Sequence, residues 1–147
     1  MHVLIAGGGI GGLVTALSLH AAGISCEVFE AAAEIRPLGV GINVLPHASR
    51  ELIELGLKDR LDANAVATRE LVYANCHGQV VWREDRGLAA GYHWPQYSIH
   101  RGTLHVQLFE AARERLGAER VQVNARIAGF EQDEAGVTVR LADGRSA

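Results

Sequence analysis

Residues 3–30 read VLIAGGGIGGLVTALSLHAAGISCEVFE. The stretch opens on an apolar strand at residues 3–6, and Gly7, Gly9 and Gly12 then keep the G-x-G-x-x-G spacing. Each glycine has its own physical task in a dinucleotide turn. Gly7 permits the tight turn off the strand, Gly9 lets a pyrophosphate approach the backbone, and Gly12 lets the helix pack closely on the strand. The helix that follows offers unpaired N–H groups and its positive dipole end to phosphates, first at Ile10 and Gly11. Ala16 keeps a small side chain against the strand one turn beyond Gly12, and Gly23 suits a helix C′ position. Residues 26–30 form a second strand ending at Glu30, where a carboxylate can accept from a ribose 2′-hydroxyl. A strand–turn–helix–strand–acid unit for a dinucleotide is the expectation.

Composition narrows the remaining classes. The 147 residues are one domain's length, enough to bury a core. Fourteen basic and 17 acidic residues give a net charge of −3 without any Lys/Arg run, which argues against nucleic acid or an anionic membrane as partner. Residues 3–24 are largely apolar, but no basic segment precedes them, and Thr15, Ser18, His20 and the glycines interrupt them. Neither a membrane span nor a secretory leader is expected. Cys26 and Cys76 form no C-x-x-C, so reduced thiols and a cytoplasmic setting are expected. Seven histidines include no H-x-x-x-H pattern, and no metal site is expected. There is no G-x-S-x-G elbow and no evident catalytic constellation.

Beyond Glu30, residues 31–43 read as a long loop, because Pro37, Gly39 and Gly41 interrupt any helix. Pro46 suits a first helical turn, with Ala48, Leu52, Ile53 and Leu55 at helical spacing up to Gly56. A short helix is expected over residues 57–63. Residues 69–75 and 79–84 read as a hairpin around His77 and Gly78, residues 85–96 as irregular, and residues 97–101 as a short extended piece. Thr103 is the expected cap of a helix ending at Gly117. Residues 120–124 resume a strand, and residues 125–132 and 137–141 form another hairpin. Residues 142–147 then read as a turn and the start of a further strand, an edge that a folded domain avoids leaving open. The expectation is the N-terminal portion of a longer protein, or a truncated product.

Three blocks together resemble the group A, single-component FAD-dependent aromatic hydroxylases, the para-hydroxybenzoate hydroxylase-like family. They are GGGIGG with FE, EIRPLGVGINVLPHASRELIELGL at residues 34–57, and YSIHRGTLHVQL at residues 97–108. Within that family the wording is most similar to the phenazine-modifying members. The resemblance covers essentially the whole chain. It implies an α/β fold: a Rossmann-like FAD-binding βαβ unit with a parallel sheet plus β-hairpin and meander insertions, incomplete relative to the family. Residues 1–147 would form the N-terminal portion of the FAD-binding domain, with residues 67–99 beginning the substrate-domain sheet.

By the same resemblance, Gly7, Gly9, Ile10, Gly11 and Gly12 match the pyrophosphate turn. Glu30, with Ala31 beside it, matches the AMP-ribose acid. Arg36 matches a loop arginine near the FAD ribose and phosphates, and Gly41 to Leu45 the segment passing the isoalloxazine. Arg101 matches the arginine on the phosphate–ribityl side, where a guanidinium can fork two donors. Val123 and Ile127 bound the backbone that edges the adenine. The implied chemistry is reduction of FAD by NAD(P)H, addition of O2 at flavin C4a, and hydroxylation of a small aromatic substrate by the hydroperoxyflavin. By the same resemblance, the family's later Asp-Gly and Gly-Asp motifs would fall beyond residue 147; Asp143–Gly144 belongs to the expected final turn. Two other readings stay open: another FAD or NAD oxidoreductase sharing the turn, and a non-catalytic fragment.

Overall fold

The computed structural model describes residues 1–147. In chain order the first elements are β1 (His2–Ala6), α1 (Ile10–Ala21), β2 (Ser25–Phe29), β3 (Gly41–Val44), α2 (Pro46–Glu54) and α3 (Lys58–Asn64). They are followed by β4 (Val66–Thr68), β5 (Glu70–Ala74), β6 (Val80–Asp85), β7 (Gln96–His100) and α4 (Arg101–Leu116). The chain closes with β8 (Val121–Gln122), β9 (Ile127–Gln132) and β10 (Val137–Leu141). Two compact units result, Met1–Pro37 with His105–Ala147, and Leu38–Leu104.

The first unit is built on a parallel sheet in the order β1-β2-β8. Val3 pairs with Cys26 and Ile5 with Val28, while Val28 also faces Val121 on the other side. Parallel neighbours need a crossover, and α1 supplies it. Leu13, Ala16 and Leu17 fall on one stripe of α1 and are fully buried, and the Cys26 Sγ lies 3.6 Å from the Ala16 carbonyl. Gly23, at φ +73°, ends the helix. Its N–H reaches the His20 carbonyl and that of Ile24 the Leu19 carbonyl, the paired bonds of a Schellman ending. The C′ role expected of Gly23 is borne out. On α4, Leu108, Ala111, Ala112 and Leu116 make a buried stripe at helical spacing. Phe29, Ala125, Val139 and Leu141 form a second cluster, with Leu4 and Ile127 packed against it. The β9–β10 pair is antiparallel, as expected for the final hairpin, and the tail returns to it through reciprocal bonds between Val139 and Ala147.

The second unit centres on an antiparallel sheet, β3-β7-β4. β7 is its middle strand, with Tyr97 and Ile99 buried on one face. On the other face the Ser98 hydroxyl links Asn43 on β3 and Thr68 on β4, at 2.7 and 2.8 Å. Pro46 opens α2, where its missing N–H leaves no bond unmade. Ser49 is fully buried and donates its hydroxyl to backbone carbonyls of Pro46 and Pro95. β5 and β6 form the expected hairpin, with Tyr73 opposite Trp82 and both more than half exposed.

Several local expectations are corrected. Residues 41–44 lie in β3 rather than in the loop, since antiparallel pairing with β7 (Gly41↔His100, Val44↔Tyr97) stabilises a stretch too short to signal by itself. α4 begins at Arg101, two residues before the expected Thr103 cap. The irregular stretch contains a 3-10 turn at Gly87–Ala90, and β8 is only two residues long.

Candidate cofactor site

The turn from β1 into α1 contains glycines of two physical kinds. Gly7 has φ +105°, where a side chain is strained, and its N–H donates to the Phe29 carbonyl at 2.8 Å. A Cβ at Gly12 would stand 2.1 Å from the Gly7 carbonyl oxygen, and one at Gly8 would stand 2.9 Å from the Glu30 Cβ. These positions are closed by the protein's own atoms. At Gly9 and Gly11, by contrast, an added Cβ meets nothing within 4 Å. Gly9 is also the N-cap of α1, with no side-chain cap, and the first turn carries no acidic residue. The leading amides of α1 therefore face open space with a positive dipole end and no side-chain acceptor. That donor set fits an anionic pyrophosphate.

Glu30 lies at the C-terminal end of β2 and is half-buried. Its two carboxylate oxygens accept separate backbone donors, Gly8 N–H and Ala32 N–H, each at 2.7 Å. An ionised carboxylate has about four lone-pair sites, so acceptor capacity remains for a ligand hydroxyl. The Glu30 backbone is braced as well: its N–H donates to Gln122, and its carbonyl accepts from Ala125. The Asn124 N–H donates to the Ala32 carbonyl. Val123 is thereby held beside the Glu30–Ala32 segment. A cleft of about 290 Å³ adjoins it, lined by Ala31, Asn124, Arg126, Ala142 and Asp143. The half-buried Ile127 side chain packs against the Phe29 cluster. Arg36 forms an exposed ion pair with Glu34.

In the second unit, Gly41, Leu45 and Arg101 are placed by β3 and β7. Gly41 pairs with His100, and the Arg101 N–H donates to the Val40 carbonyl at 2.9 Å. Gly39, at φ +140°, lies under the Arg101 side chain, 3.2 Å from an added Cβ to the arginine Cβ. The His100 Nε2 bonds the Gly39 carbonyl at 3.0 Å. The β7–α4 junction thus grips the glycine loop before β3. Leu38 and Val40 are exposed there, and Leu45 is exposed at the opposite end of β3. Tyr97 is buried, and its hydroxyl donates to the Asp62 carboxylate at 2.5 Å, an arrangement that suits packing rather than chemistry. Burial first, and then that bond, push the Tyr97 phenol well above its ordinary value.

A family model described as FAD binding domain matches residues 1–147. The chain belongs to the FAD binding domain family. It is 54% identical over 138 residues to the phenazine 1,6-dicarboxylic acid hydroxylase PhzS of Lysobacter antibioticus, covering 93% of this chain and 34% of that protein. It is 39% identical over 142 residues to the 3-hydroxybenzoate 6-hydroxylase of Polaromonas naphthalenivorans, covering 95% and 35% respectively. The crystal structure of Klebsiella pneumoniae HpxO complexed with FAD and uric acid superposes with a TM-score of 0.83 at 28% identity, over 100% of this chain and 36% of that one. The chain spans about a third of the length of the curated relatives it matches.

For this FAD binding domain, the expectation of FAD and the resemblance to aromatic hydroxylases are borne out at the level of the family. Gly7, Gly9, Ile10, Gly11, Gly12, Glu30 and Ala31 come together around one turn. Gly41 and Arg101 meet at the β7–α4 junction, while Leu45 lies at the other end of β3, beyond the Val44–Tyr97 pair, as the N-cap of α2. Two participants of the first turn escaped the sequence reading. Gly8 occupies an unassigned position of the glycine pattern, yet it is the residue whose N–H Glu30 holds. His105 bonds the Gly8 carbonyl through Nε2 at 2.6 Å. No spacing rule links a helix residue to a turn 97 positions earlier.

Proposed function

We propose that this chain binds FAD as the N-terminal portion of an NAD(P)H-dependent flavoprotein monooxygenase that hydroxylates a small, phenazine-like aromatic substrate with O2. The observation that carries the reading is the division among the turn glycines. Gly7 and Gly12 are closed against a side chain by backbone conformation and contact, while Gly9 and Gly11 open onto space beside uncapped amides. Open glycines beside uncapped amides suit the close approach of an anion to the backbone. The named activities of the relatives supply the direction of the chemistry.

In this reading, the amides of Ile10 and Gly11 hold the pyrophosphate, Glu30 with Ala31 the AMP ribose, and the backbone from Val123 to Ile127 the adenine edge. Arg36 and Arg101 add cationic donors, and the segment from Gly41 to Leu45 borders the isoalloxazine. FAD supplies the redox and oxygen-activating chemistry when bound. The chain's own residues bind it, orient it and limit water around it. Residues 67–99 begin the layer that covers the substrate. Cys26, buried, and Cys76, exposed, are free thiols, which suits a cytoplasmic setting.

Titration of the purified chain with FAD, followed by quenching of flavin fluorescence, tests the reading. NADPH and candidate aromatic acids, phenazine carboxylates among them, are then added under air. Saturable FAD binding is expected. Binding of NAD in preference to FAD would overturn the assignment. FAD binding without substrate-stimulated NADPH oxidation would assign binding alone to this chain.

A further inference from the structure

We infer that His105 is a positioning residue for the pyrophosphate turn, one that sets the direction of the Gly9 N–H by holding the Gly8 carbonyl. The inference rests on the FAD reading above. Gly7, Gly8 and Gly9 are consecutive glycines, the residue type with the greatest backbone freedom. Such a turn keeps one conformation only if other groups tether it. The structure shows two side-chain tethers on the single residue Gly8. Its N–H donates to Glu30 at 2.7 Å, and its carbonyl accepts from the His105 Nε2 at 2.6 Å. Because the acceptor is a carbonyl, Nε2 carries the proton.

The consequence follows from peptide geometry. The Gly8 carbonyl and the Gly9 N–H belong to one planar trans unit and point in opposite directions. With the carbonyl drawn toward His105, the Gly9 N–H is turned away from the ring, and an added Cβ at Gly9 meets nothing within 4 Å. Rotation of that peptide by half a turn would present a carbonyl dipole to a phosphate in place of a donor. Glycine on both sides makes the rotation sterically easy. The bond from His105 opposes it, so its value lies in keeping a donor rather than an acceptor toward the anion. Glu30 cannot do this alone, because it holds the preceding peptide unit.

His105→Phe keeps a ring and removes the donor, while His105→Gln keeps an N–H donor on a flexible chain. Affinities for FAD, ADP and adenosine are measured for the 147-residue chain and both variants, with 31P NMR of bound FAD and the unfolding temperature of the free chain. His105→Phe is expected to weaken FAD and ADP by about tenfold, the scale of one lost hydrogen bond, and to shift a pyrophosphate resonance. Adenosine, which lacks phosphate, should bind unchanged, and His105→Gln should recover much of the loss. Unchanged FAD affinity with an unchanged 31P spectrum would overturn the inference. So would an equal loss for adenosine accompanied by a lowered unfolding temperature, the signature of a merely structural tie. A wild-type chain that binds neither FAD nor ADP would instead overturn the FAD reading itself.

Discussion

The Glu30 carboxylate accepts the Gly8 backbone N–H at 2.7 Å, tying the end of β2 to the turn that follows β1. The relationship is also steric, since a Cβ at Gly8 would stand 2.9 Å from the Glu30 Cβ. The acid at the strand end thus shapes the glycine turn before any ligand is considered. Its other oxygen holds Ala32, so one side chain braces both the turn and the start of the following loop.

Glu30→Ala removes both acceptors. FAD affinity should fall by about 1–3 kcal/mol, the cost of leaving a hydrogen-bonding partner unsatisfied. Fluorescence titration measures it, and unchanged affinity would reject a ribose role for the carboxylate.

Gly12→Ala and Gly9→Ala should separate folding from binding. The first puts a Cβ 2.1 Å from the Gly7 carbonyl oxygen, a backbone atom with little room to yield. A destabilisation of about 1–3 kcal/mol or more in urea is expected. Gly9 has φ −72° and ψ 176°, which alanine adopts freely, and open space beyond. Gly9→Ala should leave the urea midpoint nearly unchanged while weakening FAD. The same loss of stability in both variants would sink the distinction.

Arg101→Ala should weaken FAD by about tenfold, with Lys recovering only part, because an ammonium cannot replace a two-donor fork. Titration of the three proteins decides this. Full recovery by Lys would leave a simple positive charge as the whole contribution.

The Tyr97–Asp62 bond gives a pH signature. The Tyr97 phenol is raised by burial and by Asp62, so its stabilising contribution is complete below the ordinary tyrosine range and is lost as pH rises above about 10. Asp62 is lowered by its bond to Lys58 and then by Tyr97, so its contribution is present above about pH 4 and lost below it. Tyr97→Phe should cost about 1 kcal/mol near neutrality. It should also flatten the alkaline limb of the unfolding temperature against pH. An alkaline limb identical to wild type would exclude Tyr97 as its source.

Much of the first unit is readable along the chain because its signals are local. The apolar run before Gly7, the glycine spacing, the stripe of Leu13, Ala16 and Leu17, and Gly23 with its Schellman bonds all lie within the first 30 residues. Pro46 and the glycine-centred hairpins are legible for the same reason. β3 was hidden because Gly41–Val44 has no strong strand signal and owes its conformation to β7, more than 50 residues later. The start of α4 is not legible in the sequence for a related reason: Arg101 enters the helix directly from β7, its N–H already held by Val40.

By itself, the sequence determined a βαβ unit with a glycine turn and a terminal acid, and through its other blocks the kind of cofactor such a turn serves. Only the tertiary structure decided how the turn is held. Three glycines in a row specify freedom rather than a direction, and direction comes from groups distant in the chain. Glu30 is 22 positions from Gly8 and His105 is 97, and both reach it through hydrogen bonds that exist only after β2 and α4 are in place. Local pattern encodes which residue types an anion site requires, whereas long-range packing aims them.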